Sequence, residues 1–323
     1  MPKAVRYHKQ GGPEVLQVDD LPVGEPGPGQ VRIRHTAIGV NFVDTYQRSG
    51  LYPMQLPQVA GNEGAGVVEA VGPNVTELRK GDRVAYTGLP GSYCEARLVP
   101  ADRMVKLPEG VTEEQAASMM LKGLTVHYLI HSTYPVKSGE TVLWHAAAGG
   151  VGLIACQWLK ALGVTTIATA GSDHKMALAK AHGAKHVINY STENFVERVK
   201  SITGGKGVPV VYDGVGKATW DGSLDCLRPR GLIASFGNAS GPVPPVNLGI
   251  LSTKGSLYVT RPTLATHIAS RADLVERSNS LFEVVKSGRV KIETTKRYKL
   301  ADAQAAHRDL EGRKTTGSIV LVP

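Results

Sequence analysis

The stretch whose reading decides the fold is Thr141–Gly163, TVLWHAAAGGVGLIACQWLKALG. Val142-Leu143-Trp144 is an apolar run too short for a helix and suited to a buried parallel strand. A turn of small residues follows, Ala146-Ala147-Ala148-Gly149-Gly150-Val151-Gly152. Apolar residues then recur at Val151, Ile154, Ala155, Trp158, Leu159 and Leu162, the spacing of a helix with one buried face. Gly163 stands where a left-handed cap would end that helix. Strand, small-residue turn and helix together are the setting that a dinucleotide fingerprint requires. A pyrophosphate can rest on the free N–H groups of a helix N-terminus only if the backbone comes close, so side chains must be small there. Ala147, Gly149 and Gly152 fill the three positions of G-x-G-x-x-G/A, with alanine replacing the first glycine. Gly150 and Val151 supply the first N–H groups of the helix.

Outward from this stretch, the chain has 323 residues, 42% of them hydrophobic, enough for two globular domains. No apolar run approaches the ~20 residues of a membrane span. The N-terminus, MPKAVRYHKQ, lacks the apolar core of a signal peptide, so a cytoplasmic protein is expected. The three cysteines, Cys94, Cys156 and Cys226, are far apart and do not suggest a disulfide framework. The net charge is +9, yet the Lys and Arg residues are scattered and no basic run interleaves with aromatics. That argues against nucleic-acid binding and for a basic surface that helps attract a phosphorylated cofactor.

Before the fingerprint, short strands alternate with Gly/Pro turns. Strands are expected at Ala4–Tyr7, around Val15–Val18, at Val31–Arg34 and after Gly81-Asp82, with a loop over Leu21–Gln30. This texture points to a β-barrel-like domain. Thr112-x-x-Gln115 is a capping box opening a helix over Ala116–Leu121, with a further helix at Leu124–Ile130. After Gly163, strands at Val164–Thr169, His186–Asn189, Val208–Tyr212, Leu232–Phe236 and Leu257–Val259 alternate with helices at Lys175–Ala181, Glu193–Ile202 and Ala218–Leu227. That succession is a doubly wound parallel sheet. A helix over Arg271–Ser287 and strands at Arg289–Glu293 and Gly317–Leu321 close the chain and are expected to rejoin the N-terminal domain. The fold class is α/β.

GGPEVLQV, NFVDTYQRSGLYP, AGNEGAGVVEAVG, GDRVAY, LKGLTV, HAAAGGVGLIACQWLKALG, VVYDGVG, SLDCLRPRGLIASFGNASG and GSLYVTRP occur in this order. Together they resemble the quinone oxidoreductase family, the zeta-crystallin-like branch of the medium-chain dehydrogenase/reductase superfamily, from near residue 3 to the end. The resemblance implies a GroES-like catalytic domain (1–123 and 263–323), a Rossmann domain (124–262), NADPH as hydride donor, a quinone acceptor and a homodimer. Zinc-dependent relatives carry Gly-His-Glu where this chain reads Gly61-Asn62-Glu63, and three dispersed cysteines cannot make a Cys₄ site. No metal is expected, His127 and His131 being read as ordinary helix residues. Without a Lewis acid the remaining chemistry is hydride transfer to an acceptor that is already electrophilic.

NAD enzymes place an acid at the end of the second strand to accept from the ribose 2′-OH. Here that end reads Ala170-Gly171-Ser172, small and neutral, and Asp173 is expected to lie past it, facing away. Lys175 suits a 2′-phosphate, and Tyr190 closes the next strand where its ring could flank the adenosine; both match the family's NADP-specific positions. The resemblance also assigns Asn41 and Tyr46 to the nicotinamide-side pocket, as catalytic residues, with Asn41 additionally near the cofactor. Asp213 and the turn after it, Phe236, Gly237 and Asn238 follow strand ends where a doubly wound sheet binds ligand. Arg261 lies at the expected domain hinge, and Arg313 resembles a phosphate-contacting position. Gly255–Thr260 is a plausible dimer strand. Alternatives stay open: an enoyl-thioester or alkenal reductase using the same donor, an RNA-binding zeta-crystallin-like protein, and a cofactor-binding protein without turnover.

Overall fold

Residues 1–323 are described in a computed structural model. The chain divides into two units, Met1–Leu124 with His267–Lys286 and Ile292–Pro323, and Thr125–Thr266 with Ser287–Lys291. The first unit opens with β1 (Lys3–Tyr7), β2 (Gln17–Asp20), β3 (Gln30–Gly39), α1 (Phe42–Ser49), β4 (Gln58–Val59), β5 (Glu63–Val71), β6 (Arg83–Thr87), β7 (Ala96–Pro100), β8 (Val105–Lys106) and α2 (Glu113–Tyr128). The second runs through β9 (Thr141–Trp144), α3 (Gly150–Ala161), β10 (Thr165–Ala170), α4 (Asp173–Ala181), β11 (His186–Asn189), α5 (Phe195–Ile202), β12 (Val208–Asp213), α6 (Trp220–Asp225), β13 (Leu227–Ser235), α7 (Gly249–Thr253) and β14 (Tyr258–Thr260). After α8 (Leu264–His267), the chain adds α9 (Arg271–Lys286), β15 (Thr294–Lys299), α10 (Ala303–Glu311) and β16 (Ser318–Val322) to the first unit.

In the second unit the six strands lie in the order β11-β10-β9-β12-β13-β14, and every pairing is parallel. The expected apolar strand Val142–Trp144 is buried at the middle of this sheet, because helices cover both faces of a parallel sheet and leave no polar side to alternate with. Leu143, Ile167, Val211 and Ile233 from four strands meet Val199 and Leu224 in one core. This is the doubly wound Rossmann architecture.

The first unit is antiparallel for the most part. β15-β16-β3-β5-β6-β8 form one sheet, with β7 also on β3, and β2-β1-β4 form a smaller one. Along β3, Val31, Ile33 and His35 are buried while Arg34 and Thr36 are exposed, the alternation of a sheet with one wet face. Val31, Ile33, Val68, Val84, Tyr86 and Val99 fill the core beneath it. This is the GroES-like, β-rich unit.

Three local expectations are corrected. The helices expected over 116–121 and 124–130 are one helix, α2, running into a single π turn at Leu129–Thr133. Gly123 does not break it: a Cβ there would stand 2.5 Å from Leu281 Cδ1, so the glycine serves the close approach of α9. Thr112 and Gln115 do form the reciprocal cap, with Gln115 N donating to Thr112 Oγ1 at 3.1 Å and Thr112 N to Gln115 Oε1 at 3.0 Å. The strand expected at Arg289–Glu293 begins instead at Thr294. Lys291 gives its backbone N–H and C=O to the side-chain amide of Gln157, at 2.8 and 3.1 Å, and so has no ladder to join. Around residue 15 the chain makes a 3₁₀ turn, Pro13–Val15, because consecutive Val15 and Leu16 both turn inward; a strand would send one of them out.

Candidate active site

The fingerprint turn is tighter than its sequence suggests. Ala146 takes φ +53°, a left-handed conformation in which a Cβ is strained, and accepts from Gly149 N at 3.0 Å. Ala147 N donates across to Thr169 O at 3.0 Å, pinning the turn to β10. A Cβ on Gly152 would meet the Ala147 backbone at 2.5–2.6 Å, so nothing larger than glycine fits. Gly149 is the N-cap of α3 and makes no side-chain cap, which leaves the N–H groups of Gly150, Val151 and Gly152 without a side-chain acceptor at the positive end of a 12-residue helix. That is an anion cradle of the kind a pyrophosphate needs.

The end of β10 itself, Ala170-Gly171-Ser172, carries no acid. Ser172 caps α4 by accepting from Lys175 N, and Asp173 is the first residue of that helix. Its carboxylate accepts from Asn189 Nδ2 at 3.0 Å, so the nearest acidic group is already engaged by β11. Half-buried Lys175 lies on the first turn of α4. Tyr190 lies against Gly171: a Cβ on that glycine would come 2.5 Å from the Tyr190 hydroxyl.

The ends of β12 and β13 meet in the same way. Gly237 has no room for a Cβ, which would stand 2.4 Å from Gly214 O, and Phe236 packs over Gly214 and beside Trp144. Arg261 Nη1 donates to Ser235 Oγ at 3.1 Å and Gly237 O at 3.0 Å, bracing this turn, and Asn238 follows directly. Asp213 has a different part from the one a ligand contact would give it. Its carboxylate accepts from Val215 N and Gly216 N (2.8 and 3.0 Å), Thr219 Oγ1 (2.7 Å) and Ser223 Oγ (2.9 Å). Ser223 in turn meets His145 Nε2 at 3.0 Å, and His145 Nδ1 meets Thr169 Oγ1 at 2.9 Å. Burial holds the His145 pKa below its ordinary value, Asp213 pulling the other way. Asp213 and His145, the second unforeseen from sequence, thus tie β9, β10, β12 and α6 together beneath the turns.

Asn41, Tyr46 and Arg313 belong to the first unit. Asn41 caps α1, its N–H donating to Asp44 Oδ2 at 2.8 Å, and Gly50 ends that helix at φ +87°. An N-x-x-D box and a closing glycine were present in NFVDTYQRSG, the sequence signal that could have revealed this helix. Tyr46, one turn on, packs on Phe42 and Tyr52 with ring centroids 6.1 and 5.4 Å away. Arg313 is exposed after α10 with φ +56°.

Around Asn41 the structure assembles charged groups that sequence reading did not single out. Asn41 Nδ2 donates to Glu63 Oε2 at 2.9 Å, and Glu63 also accepts from Leu121 N at 2.7 Å and faces Lys122 Nζ at 3.5 Å. Asp44 accepts from Asn62 Nδ2 (2.7 Å) and the Tyr93 hydroxyl (2.9 Å). Burial pushes the Asp44 pKa up to about 6 against these donors. Tyr93, already donating to Asp44, can accept a hydrogen bond from His307 Nε2–H at 3.1 Å, and His307 Nδ1 then accepts from Arg48 Nη1 at 3.0 Å. Burial, then the neighbouring Arg48, lowers the His307 pKa to about 3, so this ring is neutral with its proton on Nε2. Arg48 completes the chain with two bonds to Glu311, at 2.7 and 3.0 Å. These partners lie up to 263 residues apart in sequence, beyond the reach of any local pattern.

No group of three or more His, Cys, Asp or Glu side chains stands together in a way that could hold a metal ion. Asn62, where zinc-dependent relatives have histidine, is instead bound to Asp44 and to Gln47 Oε1, the latter also at 2.7 Å. His127 and His131 pack against each other and edge-on against Trp158. The donor set does not fit a catalytic or structural zinc.

A GroES-like β unit joined to a Rossmann sheet with a glycine turn defines a medium-chain dehydrogenase/reductase, an oxidoreductase class. Residues 27–109 match the alcohol dehydrogenase GroES-like domain family and residues 150–275 the zinc-binding dehydrogenase family. The chain is 55% identical to quinone oxidoreductase of Pseudomonas aeruginosa and 48% identical to 2-haloacrylate reductase of a Burkholderia species, covering 100% of this chain in both cases and 100% and 99% of theirs. The crystal structure of Escherichia coli quinone oxidoreductase complexed with NADPH superposes with a TM-score of 0.98 at 51% identity, over 99% of this chain and 100% of that one. The chain belongs to the quinone oxidoreductase family.

Proposed function

We propose that the protein is an NADPH-dependent quinone reductase that works without a metal. The observation that carries this reading is the end of β10, where Gly171 and Ser172 are small, the Asp173 carboxylate is bound to Asn189, and Lys175 opens the next helix. Such an end is small and neutral, with its nearest carboxylate tied by one oxygen to β11 and a cation on the first turn of α4 suited to a 2′-phosphate. Ala147, Gly149, Gly150, Val151 and Gly152 would hold the pyrophosphate on the α3 N-terminus, and Gly171, Ser172, Lys175 and Tyr190 the adenosine side. Phe236, Gly237, Asn238 and the turn that Asp213 and Arg261 brace would line the sheet end; Asp213 would act there through the backbone it holds. Asn41 and Arg313, in the first unit, are proposed as further cofactor contacts. Bound NADPH supplies a hydride. Tyr46 would donate a hydrogen bond to the acceptor oxygen as negative charge develops, and Asn41 would orient the reacting groups. Water can protonate the resulting phenolate.

The similarity to a 2-haloacrylate reductase favours a second reading, reduction of a carbon–carbon double bond conjugated to a carbonyl, the class that includes enoyl thioesters and alkenals. A homodimer is also proposed. β14 is an edge strand whose Tyr258 and Val259 are 60% and 41% exposed, close in sequence to Leu248 at 75%, an apolar edge that a second copy would cover. No helix is long and apolar enough to cross a membrane. The cytoplasm is the proposed compartment, on three buried thiols that form no disulfide.

The test is oxidation of NADPH and NADH by the purified protein with a simple quinone and, separately, with 2-chloroacrylate and an enoyl thioester, each with and without chelator. Chelator-insensitive turnover with NADPH and quinone is expected. Turnover only with the conjugated acids or thioester would replace the substrate class, and preference for NADH would overturn the cofactor assignment.

A further inference from the structure

The first unit buries a full ion pair beside Asn41. Glu63, the first residue of β5, is completely buried, and the Lys122 side chain on α2 is 7% exposed, with Nζ 3.5 Å from Glu63 Oε2. As a source of stability this is a poor choice, because two charges lose their water and a well-packed apolar pair often does as well. What the pair does accomplish is geometric. The oxygen that faces Lys122 is the one that accepts from Asn41 Nδ2, while the other oxygen is tied to the Leu121 backbone. An ionised carboxylate only accepts, so the Asn41 amide must turn its NH₂ toward Glu63. A protonated Glu63 could donate, and the amide would then be free to flip.

We propose that Lys122 and Glu63 are a positioning pair for the reaction, in which the buried ammonium keeps Glu63 ionised and the carboxylate fixes the orientation of the Asn41 amide. The proposal rests on the reductase reading above, since it gives Asn41 a part in that chemistry. Burial raises the Glu63 pKa, and the strongest influence opposing it is the charge of Lys122. Lys122 also draws down Asp44 on α1, which bonds to the Asn41 N–H, to Asn62 and to Tyr93. Glu63 in turn bears on the Tyr93 hydroxyl, and Arg48 lies beyond Tyr93 with its charge bound to Glu311. The groups around Asn41 are therefore two carboxyls, a phenol and one cation, Lys122, which is paired with Glu63.

Lys122→Met, Lys122→Arg and Glu63→Gln are compared with the parent enzyme from pH 6 to pH 8. In Lys122→Met, kcat with NADPH and quinone is expected to fall about tenfold or more between pH 8 and pH 6, as the buried carboxyl gains its proton. The parent and Lys122→Arg should change by less than about threefold over the same range. Glu63→Gln, which cannot ionise, should lose activity equally at every pH. Infrared difference spectra should show a protonated carboxyl appearing in this range in Lys122→Met and absent from the Lys122→Met/Glu63→Gln double variant. A parent-like pH profile in folded Lys122→Met, or parent-like kcat in Glu63→Gln, overturns the proposal; the second result decides the matter if Lys122→Met does not fold. If the parent itself reduces no quinone, the reductase reading fails, and the infrared titration still decides whether Lys122 holds Glu63 ionised.

Discussion

The two candidate sites are built by opposite means. In the second unit the working surface is backbone: the turn at Ala146–Gly152, Gly171, Gly214 and Gly237 clear space, and of the side chains beneath them His145 and Asp213 are joined through Ser223, with Asp213 holding the turn after β12. In the first unit the surface is side chains, and ionisable ones. Asn41 and Asp44 at the start of α1, with Glu63, Tyr93, Lys122 and His307 from four other segments, hold each other by hydrogen bonds in a buried setting. A backbone site binds a constant feature such as a pyrophosphate, whose recognition needs approach and a helix dipole. A side-chain site can be tuned in charge, as reductive chemistry on different acceptors requires.

The difference can be broken most severely at Gly152. Gly152→Val should raise the NADPH dissociation constant about a hundredfold or more, since its Cβ would strike main chain that cannot move aside cheaply. Fluorescence titration checks this, with circular dichroism to show the fold intact; unchanged affinity would mean that the turn is not the binding surface. In the first unit the corresponding break is Arg48→Leu, which strips partners from His307, Glu311 and Gly11 O. It should cost about 3 kcal/mol of stability by urea unfolding.

The neutral His307 sharpens the contrast through pH. Its folded pKa, about 3, lies below the ordinary value of 6.5, so its contribution is complete above pH 6.5 and is lost as the pH falls toward 3. His35, lowered to about 4 by burial, acts in the same direction. Asp44, raised to about 6, opposes them: its contribution is complete below pH 3.8 and is lost as the pH rises through 6. Two histidines outweigh one aspartate, and stability should fall by a few kcal/mol between pH 6.5 and 4, with a shallower fall in His307→Gln. An unchanged slope in that variant would show that His307 is not held neutral.

Smaller effects test the assigned contacts. Lys175→Ala should weaken NADPH about tenfold and leave NADH unaffected, the loss of one charge-assisted contact; equal losses would sink the 2′-phosphate assignment. Tyr46→Phe should lower quinone turnover about threefold, the effect of one hydrogen bond to a developing anion. No change would remove Tyr46 from the reaction.

Thr141–Gly163 could be read directly because its constraints are local. A strand of three apolar residues, a turn that excludes side chains and a helix with one buried face each leave a mark within a few positions, and the alternation that follows declares the parallel sheet. The resemblance brought Asn41 and Tyr46 forward, while residues alone would have left Asn41 as a cap, which it also is.

Sequence by itself thus determined the α/β class, the place of the small-residue turn between strand and helix, and the neutral residues at the end of β10, all properties of neighbouring residues. Tertiary structure alone decided that Gly123 is a contact with Leu281, that Gln157 takes the backbone where a strand was expected, and that Glu63 meets Lys122. The reason is that burial and hydrogen bonding act through space. A buried carboxylate must find a donor or a cation wherever the chain returns, and nothing in its neighbours' spacing says where that will be.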